Sequence, residues 1–143
     1  MAQASFLGGR VIKQSLPIIE GRPGPDAPSL KRRRLAQGDL AQIYDAPEGI
    51  RYLAALELRA GALRGNHYHH HKEEHIYVIA GALLVVAADI QTGERISVEI
   101  QAGDLCVIRP GIAHALRTMA AGEALEFSPG RFDPTDSVPF SVI

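Results

Sequence analysis

"GALRGNHYHHHKEEHIYVIAG", residues 61–81, holds five of the six histidines of the chain between His67 and His75, with Glu73 and Glu74 among them. The run is internal, so it is not a purification tag. A metal site, an acid–base site and a solvated polar turn all fit such a composition. His67 and His69 are separated by one residue. On a strand that spacing puts both imidazoles on one face, with Cα atoms about 7 Å apart. Two neutral imidazoles so placed can converge on one metal ion, and a carboxylate from the next strand can complete one side of its shell. Imidazole suits Zn, Fe, Ni and Cu, and a carboxylate brings in Mn.

Working outward, short strand-like runs recur on both sides. "IRYLAALELRAG" (50–61) has Tyr52, Ala54, Leu56 and Leu58 on one period-two face and Arg51, Ala55, Glu57 and Arg59 on the other. "EHIYVIAG", "ALLVVAAD", "ERISVEIQAG", "DLCVIRPG", "AHALRTM" and "EALEFSPG" follow, divided by turn residues. A hairpin is expected through Gly81 and another around Gly93. At 143 residues, 14 glycines and 9 prolines punctuate the chain at short intervals, and no amphipathic helix of three turns is visible. Many short strands with turns every 8–12 residues point to an all-β sandwich or barrel.

Residues 1–37 are the least regular. "VIKQSLPII" can hold one strand, or two broken at Pro17, and "EGRPGPDAPS" reads as an extended loop. "KRRR", Lys31–Arg34, reads as a solvated face or the guard of an edge strand, with anion contact as the alternative. The N-terminal strands are candidates for pairing with a partner subunit. Cys106, the single cysteine, sits in an apolar run and is expected to be buried and inert. A net charge of −1 gives no field that would favour nucleic acid or an anionic membrane. No apolar run approaches the roughly 20 residues that span a bilayer, and the N-terminus lacks a signal-peptide pattern. A soluble, cytoplasmic protein is the expectation.

The spacing within residues 61–81 resembles the first motif of the cupin superfamily. Gly61 is followed by five residues, then His67-Tyr68-His69, then four residues and Glu74, then six residues and Gly81. "GDLCVIRPGIAHALRT" (103–118) resembles the second motif through Gly103, Gly111 and His114. Arg109 and Thr118 stand where the family has proline and asparagine. The resemblance covers residues 61–118. It implies a double-stranded β-helix, a jelly-roll-like barrel. One cupin domain over 1–143 is expected, with an extended N-terminal segment (1–37), a barrel (38–130) and a tail packing on the barrel (131–143).

By the same resemblance His67, His69, Glu74 and His114 are the ligands of one divalent transition metal ion, with Zn, Mn, Fe and Ni not distinguished. Glu73 is the alternative carboxylate. By strand parity from Glu74, residues Ile76, Val78 and Ala80 share its face. His75, Tyr77 and Ile79 take the other, which makes His75 a surface or interface histidine and that face a candidate homodimer contact. His70, His71, Lys72 and Glu73 are the expected turn, and His71 is its best candidate for touching substrate.

"RGNHYHHHKEE" and "FSPGRFDP" (127–134) further resemble cupins that isomerise or epimerise nucleotide-linked sugars. Such a reaction removes a proton from a carbon next to a ketone, work suited to an imidazole near pKa ~6.5. His67 or His69 is the implied base, assisted by Tyr52, Tyr68 or His114, with Arg64, Arg109 or Arg117 for a diphosphate. A metal-dependent dioxygenase is the alternative enzyme, and a metal- or ligand-binding cupin without turnover is the alternative outside catalysis.

Overall fold

The computed structural model describes residues 2–143. Twelve strands are found in these residues: β1 (Ala2–Phe6), β2 (Val11–Ser15), β3 (Ile18–Glu20), β4 (Lys31–Arg34), β5 (Leu40–Gln42), β6 (Tyr52–Leu58), β7 (Leu63–Tyr68), β8 (Glu74–Asp89), β9 (Arg95–Gln101), β10 (Asp104–Ile108), β11 (Ile112–Ser128) and β12 (Val138–Pro139). The fold is all-β, a jelly-roll of the cupin type. Among the described residues no helix is long and apolar enough to cross a membrane.

One sheet runs β1-β2-β10-β8-β11-β7-β12, with β6 on β11 and β9 on β8, every pairing antiparallel. Its spine is the pair of long strands β8 and β11, which run side by side from Ile112↔Asp89 to Phe127↔His75. β6 shows the alternation expected of it, with Tyr52, Ala54 and Leu56 half-buried, Leu58 buried, and the residues between them exposed. The barrel interior is filled from the inward positions of several strands, among them Ile76, Val78, Leu83, Val85, Ile100, Ile108 and Ile112, all at most 1% exposed. Cys106 lies in this core, buried as expected, with its thiol pushed up to about 12 by burial.

The expected hairpin at Gly93 is present between β8 and β9. The one at Gly81 is not, because β8 passes straight through that residue. Opposite it, the register of β11 slips between Thr118 and Ala124. Gly81 adopts φ +92°, and a Cβ there would meet Ala120 O at 2.5 Å; a Cβ on Gly122 would lie 1.9 Å from Ala80 O. The two glycines therefore let two backbones touch at a bulged corner where the sheet bends. "KRRR" is β4, the middle strand of a second sheet, β3-β4-β5, in which β3 runs parallel to it and β5 antiparallel. It is not an edge, and it is solvated only in part: Lys31 is buried, its ammonium donating to the carbonyls of Pro28 and Ser29, whereas Arg34 is exposed.

β1 and β2 pair with each other and with β10 of the same chain. Residues of the N-terminal region also cover one barrel face. Leu30, Ile43 and Tyr44 pack against Leu16, Tyr77, Leu105 and Phe127. His75 points to this face, as parity requires, yet it is buried rather than on the surface. It stacks on Phe127 at 5.1 Å and meets Tyr44 edge-on at 5.7 Å. Tyr77 is covered in the same way, whereas Ile79 stays 46% exposed.

Candidate functional site

A bulge aims the first histidine. The pairing of β7 with β11 runs Ala115↔Gly65 and then His114↔His67, leaving Asn66 as the extra residue. Gly65 has φ +93° and Asn66 φ +60°, the left-handed region that glycine, and less often asparagine, accepts. A Cβ at Gly65 would stand 2.7 Å from His114 O, so glycine is what lets the two strands close. The same cross-strand pair puts the imidazoles of His67 and His114 edge to face at 5.0 Å. His69 follows at the end of β7, its ring 4.7 Å from that of His67. Glu74 opens β8, 2% exposed.

Ligand atoms of His67, His69, Glu74 and His114 all lie within 4.8 Å of one another. The hydrogen bonds decide which atoms converge. His114 Nδ1–H donates to Ile112 O at 3.0 Å, and His69 Nδ1–H donates to Asp136 O. Each ring is thereby left with Nε2 as its lone-pair nitrogen, and both Nε2 atoms are buried without a hydrogen-bond partner. Glu74 Oε2 does approach His114 Nε2 to 3.0 Å, but off the line a hydrogen bond needs. Imidazoles tied through one nitrogen to a backbone carbonyl, with the other nitrogen buried and unsatisfied, form the donor set of a metal site. The residues fit a divalent cation, and the cluster can hold one.

Without a cation the charges settle among themselves. Burial disfavours the Glu74 carboxylate, but the adjacent His114 imidazole outweighs it and holds the group well below the usual carboxylate range. Burial likewise disfavours charge on His114, and the Glu74 carboxylate overrides it, raising the imidazole. His67 is lowered to about 4 by burial and by the neighbouring His114 and His69, so it is neutral at pH 7.

Three of the four donor residues, His67, His69 and Glu74, line a cavity of about 310 Å³, together with Tyr52, Lys72, Glu126, Phe132, Pro134 and Asp136 among others. Phe132 stacks on Tyr52 at 5.5 Å, and the Lys72 ammonium lies 4.6 Å from the centre of the Tyr52 ring. Lys72 Nζ is also 3.5 Å from Glu74 Oε1 and 3.9 Å from Glu126 Oε1. Burial and the adjacent Glu74 push the Glu126 carboxyl up to about 7. A second cavity of about 200 Å³ is lined by His67, Glu74, His114 and Glu126 and is bordered by Arg64, Leu56 and Leu116.

Of the residues singled out from the sequence, Tyr52, His67, His69, Glu74 and His114 are brought together, and Arg64 borders the group. Tyr68 is not. Strand alternation turns it away from His67 and His69, toward His70 and Phe140. Arg109 bonds Glu73 Oε2 at 2.9 Å on the outside, and Arg117 sits on the opposite face of β11 from His114; neither lines the cavities. Glu73 takes Arg109 and His75 as partners, His75 Nε2 at 2.8 Å, while Glu74 points inward. His70 and His71 are exposed in the β7–β8 connection, and His71 borders an outer groove. Lys72 and Glu126 were missed. Lys72 was read only as part of a turn. Glu126 did carry a signal, a lone carboxylate between Leu125 and Phe127 on the inward parity of β11.

Residues 36–128 match the family described as "Polysaccharide biosynthesis C-terminal domain", and the chain belongs to that family. No curated protein sequence matches the chain. Among solved structures it is similar to a dTDP-4-dehydrorhamnose 3,5-epimerase from Sulfolobus tokodaii, at TM-score 0.74 and 19% identity over 95% of this chain and 80% of that one. A dTDP-6-deoxy-D-glucose-3,5-epimerase from Legionella pneumophila, in complex with dTDP-4-keto-L-rhamnose, superposes at TM-score 0.74 and 15% identity, covering 99% and 78%. A 3,4-ketoisomerase from Helicobacter canadensis gives TM-score 0.68 and 15% identity, covering 77% and 86%. At such identities the likeness is one of fold.

Proposed function

We propose that the chain is a nucleotide-sugar isomerase or epimerase acting beside a ketone, with one divalent metal ion held by His67, His69, Glu74 and His114. The observation that carries this reading is the shared cavity: three of the four donors, His67, His69 and Glu74, line it together with Tyr52, Lys72 and Glu126, which lie outside the donor set. When bound, a divalent cation supplies Lewis acidity toward a carbonyl or hydroxyl oxygen. Glu126 is a second, half-buried carboxyl beside Glu74 that the donor set leaves free, placed to take a proton from a carbon beside a ketone and return it. Lys72 and the Tyr52 phenol border the same space and are placed to stabilise the enolate oxygen. The Phe132–Tyr52 stack offers an apolar flank to a sugar ring. Similar folds in proteins named for 3,5-epimerisation and 3,4-ketoisomerisation support the substrate class.

The test is proton NMR in deuterated water with dTDP-4-keto-6-deoxyglucose and metal-replete protein. Deuterium should enter at a ring carbon next to the ketone. No exchange across a panel of nucleotide keto-sugars would sink the reading. The three-imidazole, one-carboxylate donor set by itself favours a second reading, a metal-dependent dioxygenase. Oxygen uptake by iron-loaded protein, with no deuterium exchange, would select it.

A further inference from the structure

One residue of the C-terminal segment touches the site twice, by different atoms. We propose that Asp136 is the positioning residue of the metal centre, orienting His69 and shaping the 70–72 turn from 67 residues further along the chain. The inference rests on the metal reading above. The backbone carbonyl of Asp136 accepts Nδ1–H of His69, which leaves Nε2 as the nitrogen facing the cluster. Its carboxylate accepts three consecutive amides: His70 N at 2.7 Å to Oδ1, His71 N at 3.3 Å to Oδ1 and 3.2 Å to Oδ2, and Lys72 N at 3.0 Å to Oδ2.

Successive N–H groups converging on one anion make a backbone nest, here filled by the protein's own side chain. Asp136 is 7% exposed, so this carboxylate is not a solvated surface group. The two contacts are mechanically linked. Holding the amides of 70–72 fixes where residue 136 sits, and that fixes where its carbonyl meets the His69 ring. The nest also sets the start of the Lys72 side chain, whose ammonium reaches back to Glu74. Burying a ring nitrogen without a partner is unfavourable. The ring is therefore held by an outside constraint, and Asp136 supplies it. A carboxylate that merely stabilised a turn would leave metal affinity unchanged when substituted.

The experiment is a Co2+ titration of the full chain against a competing chelator, for wild type and Asp136→Asn, with circular dichroism to establish folding. Asn keeps the shape but turns one acceptor oxygen into an amino group facing amide donors. The folded variant should bind Co2+ about 10- to 100-fold more weakly and show an altered visible cobalt spectrum. Equal affinity and an unchanged spectrum would overturn the inference. Nitrogen-15 NMR of the histidine rings of the metal-free wild type decides the matter if Asp136→Asn does not fold. It should show His69 protonated at Nδ1, and an Nε2–H tautomer would overturn the positioning role. Wild type that takes up no Co2+ overturns the metal reading instead, and the ring spectrum still tests the hold of Asp136 on His69.

Discussion

At the residue scale the cluster sorts neighbours of like chemistry by the partners they find. Glu73 and Glu74 differ by one position, and strand alternation sends one outward to Arg109 and His75 and the other inward to His114. Glu74→Gln should therefore abolish near-stoichiometric metal, whereas Glu73→Gln should keep it; elemental analysis of the two purified variants checks this, and loss only in Glu73→Gln would show the ligand set to be wrong by one position. Cys106 is fully buried with a strongly raised thiol, so a disulfide reagent at pH 8 should label it only after denaturant is added. Phe127 packs against both His75 and Tyr44 with no exposure, and Phe127→Ala should cost about 3–5 kcal/mol in urea unfolding.

At the element scale glycine carries the geometry, and it is also where a sequence reading errs. A glycine after an apolar run signals a turn as readily as a bulge, because both need φ > 0 or close backbone approach. Gly93 turned out to be the first and Gly81 the second. The difference lies in β11, whose backbone passes over Gly81, and local residues do not report that. Gly122→Ala would drive a Cβ to 1.9 Å from a backbone oxygen that has nowhere to move. A loss of about 1–3 kcal/mol or more is expected from the shift in urea midpoint. Gly65→Ala should instead strike the site. By disturbing the bulge that aims His67, it should weaken metal binding markedly, read by chelator competition. β4 shows the same limit from another side: three arginines and a lysine read as surface, but β3 and β5 enclose them as a strand.

Across the whole molecule, the two ends of the chain close the barrel. The N-terminal region buries His75 and Tyr77, and β12 lies on β7 at Val138↔Tyr68 and Pro139↔His67. Asn66 Oδ1 accepts the amides of Val142 at 2.8 Å and Ile143 at 3.2 Å, so it ties the last residues to the bulge that presents His67. Asn66→Ala should lower stability by about 1–2 kcal/mol and speed amide exchange at residues 138–143. Unchanged exchange there would show that the tail is held by its strand pairing alone. The sequence by itself determined the all-β class, the period-two faces, and His67 and His69 pointing the same way, because these follow from covalent geometry over a few residues. The spacings Gly61–Gly81 and Gly103–His114 added the cupin-like ligand set. Only the tertiary structure decided that His114 stands across from His67, that Glu126 and Lys72 join the cavity, and that Asp136 holds His69. Those contacts depend on sheet register and on bulges set by strands far apart in the chain, which no local pattern of residues encodes.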